Sequence, residues 1–133
     1  MEFELDPRLA AASSFVADWP LSRVILMNDA RFPWLVLVPR CPGASEIFDL
    51  NESDRLTLSR EYCRAGERLK ALTKAWKINI AALGNAVAQL HVHVIARAQD
   101  DPVWPSPVWS RGYAVPYEPA ALAEFLGRLV NGL

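Results

Sequence analysis

The sequence is short of the residues that announce the commonest specialised chemistries. It holds two cysteines, Cys41 and Cys63, and no Cys-x-x-Cys pair. That excludes a disulfide framework and a thiolate zinc cluster, and predicts two ordinary, partly buried thiols in a reducing compartment. Charge of one sign is also missing: 14 Lys and Arg stand against 15 Asp and Glu, a formal net charge of -1. The basic footprint of a dedicated nucleic-acid binder is therefore absent, and any phosphate recognition has to be local. No apolar run approaches the ~18 residues of a membrane span. The start, Met1-Glu2-Phe3-Glu4-Leu5-Asp6, is acidic, where a targeting peptide is basic. These absences predict a cytoplasmic protein with neither a nucleic-acid nor a membrane partner.

The 133 residues are 52% hydrophobic and 22% charged, which fits one globular domain spanning 1–133. A chain of this size buries roughly 70% of its unfolded surface, so neither a metal nor a disulfide is needed to hold it. Proline is in excess, with ten copies, five of them from Pro102 to Pro119. Each removes a main-chain donor and restricts the residue before it, so the segment 101–119 is predicted to be an ordered, Trp-anchored loop or edge.

Two short apolar runs, Arg23 to Met27 and Leu35 to Val38, flank the turn-forming stretch 28–33 and read as a hairpin with a longish loop. From about Asn51 to Lys74 a proline-free stretch with a polar start, a basic end and apolar residues at Leu56, Tyr62 or Cys63, Leu69 and Leu72 predicts one long amphipathic helix. Lys77 to Leu83 and Leu90 to Ala96 form a second strand pair around Gly84-Asn85. A C-terminal helix is expected over about 119–130, with proline in its first turn. Mostly antiparallel strands with intervening helices give an α+β domain.

The chemistry concentrates in Gln89-Leu90-His91-Val92-His93, which contains both histidines of the chain. Alternation along a strand puts Gln89, His91, His93 and Ile95 on one face, about 7 Å between successive same-side residues, and Leu90, Val92, Val94 and Ala96 on the core face. This predicts an open β surface carrying two imidazoles. Three readings stand: a working pair of imidazoles, a half-exposed polar face with no task, or two ligands of a zinc site. The last lacks a third histidine and has no carboxylate or thiol at ligand spacing.

The stretch Gly84-Asn85-Ala86-Val87-Ala88-Gln89-Leu90-His91-Val92-His93-Val94-Ile95-Ala96-Arg97 resembles the signature of the histidine triad (HIT) superfamily, His-φ-His-φ-His-φ-φ with φ hydrophobic. The likeness extends to Met27-Asn28-Asp29, to Leu35 through Arg40 and to Asn79, a core of about 23–97. Asp101 to Trp109 is similar to a tail element of small bacterial members whose signature begins with Gln.

The resemblance implies a HIT-like fold, a homodimer with sheets joined across the two-fold, and a nucleotide hydrolase or transferase acting on dinucleoside polyphosphates or nucleoside phosphoramidates. By that match His91 is the nucleophile that forms a nucleotidyl-histidine, its other ring nitrogen held by the main-chain oxygen of Gln89, and His93 donates to a phosphate oxygen. Asn28 and Asp29 match positions that contact the sugar hydroxyls, and Asn79 and Asn85 match positions near the phosphates. Asn28-Asp29 and Gly84-Asn85 read equally well as turn pairs. Arg97 fits either a carboxylate partner or a solvated strand end, and Trp104 and Trp109 fit either packing or the wall of a base site. No protein-bound cofactor or metal is implied; magnesium would arrive only with a polyphosphate.

Three positions depart from the superfamily pattern. Gln89 replaces the first histidine and cannot titrate, Ala86 lacks a hydroxyl, and Trp34 stands where relatives carry His. A nucleotide-binding module that has lost its catalysis is the competing reading.

Overall fold

Apolar alternation builds a five-stranded antiparallel sheet in the order β1-β2-β3-β5-β4. The strands are β1 (Ser13–Asp18), β2 (Ser22–Met27), β3 (Trp34–Pro39), β4 (Lys77–Ala81) and β5 (Val92–Arg97). This computed structural model describes residues 2–133; Met1, the first residue of the expected domain and of its acidic start, lies outside the described residues. The helices are α1 (Pro7–Ala11), α2 (Glu52–Thr73) and α3 (Pro119–Gly132).

The hairpin, the long helix, the second strand pair and the C-terminal helix form as the sequence predicts. Helix α2 starts where Asn51 accepts a hydrogen bond from the Asp54 amide at 2.8 Å and ends at Lys74, which takes the left-handed conformation. Its Gly66 lies against the sheet; a Cβ there would stand 3.3 Å from Ile78, so the missing side chain lets helix and strand approach.

The two sheet faces are covered differently. Helices α2 and α3 bury Val24, Leu26, Leu35, Leu37, Val94 and Ala96 with Ala65, Leu69 and Leu129. Each fully buried large aliphatic side chain contributes about 1.5–3 kcal/mol. On the opposite face the N-terminal segment brings Leu9, Phe3 and Leu5 onto Ile25, Val36 and Val38. The proline-rich segment covers Phe32 and Ile95 with Val103 and Val108. The histidines sit on this second face.

Four expectations need correction. The strand carrying the motif begins at Val92, not at Leu90, and the strand alternation does not reach back to Gln89, because residues 89–91 leave the ladder to meet the N-terminal segment and the Ala44 carbonyl. The histidine face is not open, since α1 and the proline-rich segment roof it. That roof is pinned by Val103 and Val108, whereas Trp109 is 44% exposed. Cys63 is exposed rather than partly buried. The elements α1 and β1 were not foreseen.

Candidate active site

His91 precedes β5 and His93 lies within it, opposite Val36 of β3. Both rings are buried, with 6% and 7% of their surface exposed. Their centroids are 5.0 Å apart and their planes meet at 72°. Both line an open cavity of about 350 Å³ whose other walls are Trp34, Trp109 and the loop 83–87, a volume within the range of small-molecule sites. Gly84 shapes that loop with a φ of 71°, the left-handed region that glycine enters freely.

The hydrogen-bond partners decide where each ring keeps its proton. His91 Nδ1 is 2.6 Å from the main-chain oxygen of Gln89. A carbonyl only accepts, so the proton of a neutral His91 resides on Nδ1 and Nε2 carries a free lone pair. His93 has the opposite arrangement: Trp34 donates its indole N–H to His93 Nδ1 at 3.0 Å. An indole only donates, so the His93 proton resides on Nε2. Burial, aided by the neighbouring His91, pushes the pKa of His93 down to about 4. A neutral His93 presenting an N–H therefore stands beside His91, whose neutral form presents a lone pair.

Gln89 contributes its main chain to this pair but not its amide. The amide nitrogen donates to Glu4 O and the amide oxygen accepts from the Asp6 N–H, both at 2.8 Å. Together with Arg8, which donates to Ala86 O at 2.8 Å, it fastens the N-terminal segment beside the cavity. Ala86 and Asn85 line the cavity itself.

The remaining expected residues lie elsewhere. Asn28 accepts from the Tyr117 amide at 2.9 Å. Asp29 is buried and paired with Arg31 at 2.8 Å, and it accepts from the Val115 amide. Burial raises the Asp29 pKa, but the Arg31 and Val115 hydrogen bonds outweigh it and hold the carboxylate below its ordinary value. Neither residue lines the histidine cavity; both tie the segment 115–117 to the hairpin. Asn79 accepts from Arg97 at 3.0 Å and lines a neighbouring groove that shares only Trp109 with the histidine cavity.

Arg97 is no solvated strand end. It is 1% exposed, pairs with Asp101 at 2.7 Å and lies over Trp104. Asp101 also accepts from the Val103 and Trp104 amides, so this ion pair moors the roof to β5. Trp104 therefore packs on Arg97, and Trp109 walls the cavity 5.5 Å from His93.

Sequence reasoning missed the N-terminal clasp and the Trp34 bond. The first had a signal, since Asp6 before Pro7 is a helix N-cap followed by proline at the first helical position. The second depends on strand register and had none. Among the described residues no three His, Cys, Asp or Glu side chains gather as a metal site.

A family model described as HIT domain matches residues 8–100. A histidine triad protein from Bradyrhizobium japonicum is 42% identical over 99% of this chain and 98% of that chain, with a TM-score of 0.96. One from Sinorhizobium meliloti is 44% identical over 98% and 97%, with a TM-score of 0.95. One from Marinobacter aquaeolei is 41% identical over 100% and 97%, with a TM-score of 0.97. No curated protein gives a significant match to the sequence.

Proposed function

The chain belongs to the histidine triad (HIT) family and has its α+β fold, and from that premise we propose that it is a nucleotide hydrolase or transferase using His91 as nucleophile. The proposed substrates are dinucleoside polyphosphates or nucleoside phosphoramidates. The observation that carries this reading is the 2.6 Å contact between His91 Nδ1 and Gln89 O. In the neutral ring it places the lone pair on Nε2, on a ring that borders a cavity, the condition a nucleophilic imidazole needs.

In the first step His91 Nε2 attacks the α-phosphorus; a P–N bond forms, the bond to the leaving group breaks, and that group departs with the electron pair. Water then attacks the same phosphorus; a P–O bond forms, the P–N pair returns to Nε2 to restore the ring, one water proton stays on the released nucleotide and the other passes to solvent. The His93 Nε2–H donates to a non-bridging oxygen as charge develops there. Asn85 is proposed to help hold the phosphates, and Asn28, Asp29 and Asn79 to bear on nucleotide binding through the segments they anchor. The covalent step uses no protein-bound metal, and magnesium enters only with a polyphosphate.

A homodimer is proposed on the edge strand β4, where Ile80 within the strand and Trp76 just before it are exposed by 43% and 62%; such an edge has unpaired main-chain groups to offer a second copy. A cytoplasmic setting rests on the two free thiols. No helix among the described residues is long and apolar enough to cross a membrane.

The test is rapid quenching with a dinucleoside polyphosphate labelled in its adenylyl group. An acid-labile adenylyl adduct on His91, lost together with turnover in His91→Ala, is the expected result. Turnover that survives His91→Ala would overturn the enzyme reading. Tight nucleotide binding with neither adduct nor turnover would leave a binding module in its place.

A further inference from the structure

Trp34 opens β3 opposite Ile95, and Val36 stands opposite His93. Trp34 and His93 are therefore diagonal neighbours on one sheet face, the geometry in which long cross-strand side chains meet. The indole nitrogen is 3.0 Å from His93 Nδ1, and the ring centroids are 5.6 Å apart. Trp109 closes on the imidazole from elsewhere in the roof at 5.5 Å. The two indoles are themselves 6.3 Å apart, so the three rings pack as a triangle, and of the two indoles only Trp34 bonds the imidazole.

We propose that Trp34 is a positioning residue that fixes the proton of His93 on Nε2, so that this ring meets the substrate as a neutral hydrogen-bond donor. The acceptor, a phosphate oxygen, is taken from the proposed function; the tautomer itself does not depend on that reading. A proton added at Nδ1 would face the indole N–H, donor against donor, so the cationic ring is disfavoured by geometry as well as by burial. Among the described residues the cavity wall offers no carboxylate, lysine, arginine or tyrosine, and His91 is the one other titratable group there. His93 thus stabilises charge without surrendering a proton. The leaving group has to depart as an anion, as a nucleotide phosphate can, or bring its own proton.

The test is the ¹⁵N and long-range ¹H–¹⁵N spectrum of the imidazoles at neutral pH, in the wild type and in Trp34→Phe, which keeps an aromatic ring but loses the N–H. The expected wild-type spectrum has His93 protonated at Nε2 alone and His91 at Nδ1 alone. In Trp34→Phe the His93 nitrogens move toward tautomer averaging, while His91 keeps its pattern. On a dinucleoside polyphosphate, kcat falls about tenfold, less than the loss of a whole oxyanion donor, and KM moves less than about threefold. A wild-type His93 protonated on Nδ1, or on both nitrogens, overturns the proposal even if the variant does not fold. So does a folded Trp34→Phe with an unchanged His93 pattern. The expected spectra in a protein without turnover would sustain the lock and reject the hydrolase reading.

Discussion

His91 and Gln89 are joined through the main chain, 2.6 Å from ring nitrogen to carbonyl oxygen, while the Gln89 amide turns away to Glu4 and Asp6. The first motif position thus serves the nucleophile with an atom that every residue type possesses, and its side chain is free for another task.

That division predicts a lopsided pair of variants. Gln89→Ala keeps the carbonyl, so kcat should fall less than about tenfold. The two lost hydrogen bonds should lower stability by about 1–2 kcal/mol and raise amide exchange in residues 4–8. His91→Ala should abolish turnover. Steady-state kinetics and hydrogen exchange check this, and a Gln89→Ala enzyme as inactive as His91→Ala would return the amide to the chemistry.

His93 makes stability depend on pH. Its folded pKa is about 4 against an ordinary 6.5, lowered by burial and then by His91. Above pH 6.5 the ring is neutral in both folded and unfolded chains, but between about 6.5 and 4 only the unfolded chain takes up the proton. Stability is therefore fully present above that window and is lost as pH falls through it, by about 3 kcal/mol. Urea midpoints at pH 7.5 and 4.5 should separate more widely in the wild type than in His93→Gln. Equal separation in the two proteins would contradict the buried, neutral ring.

The roof depends on Arg97 and Asp101. Arg97 is 1% exposed and Asp101 6% exposed in their side chains, so removing the carboxylate strands a buried cation. Asp101→Ala should cost about 3–5 kcal/mol. Asp18, paired with Arg23 at a half-open site with side-chain exposures of 41% and 30%, should cost about 0–1 kcal/mol when replaced by Ala. Denaturant unfolding of the two variants checks the contrast, and similar losses would mean that the Arg97 pair is not a buried mooring.

Legibility in the sequence followed the range of the interaction. Helix α2 is legible to within a residue at each end because its polar start at Asn51 and its basic end at Lys74 are local signals, and strands β2 to β5 because Leu35 to Val38 and Val92 to Ala96 alternate or run apolar over short distances. The His91 to Gln89 contact was expected from the resemblance and needs only two residues of extended chain. The bond from Trp34 to His93 joins residues 59 positions apart, and the clasp from Gln89 to Glu4 joins residues 85 apart. Neither leaves a periodic trace. Asn28 and Asn79 match motif positions, yet their partners, Tyr117 and Arg97, follow from how the chain returns over the sheet.

The proposed reaction requires His91 to act as a covalent nucleophile. Its most direct test is the stereochemical course at the α-phosphorus, read by ³¹P spectroscopy after hydrolysis of a P-chiral α-thio dinucleoside polyphosphate in ¹⁸O-labelled water. Two successive in-line displacements, first by His91 and then by water, predict net retention of configuration; net inversion would mean that water attacks phosphorus directly and would contradict the nucleotidyl-histidine.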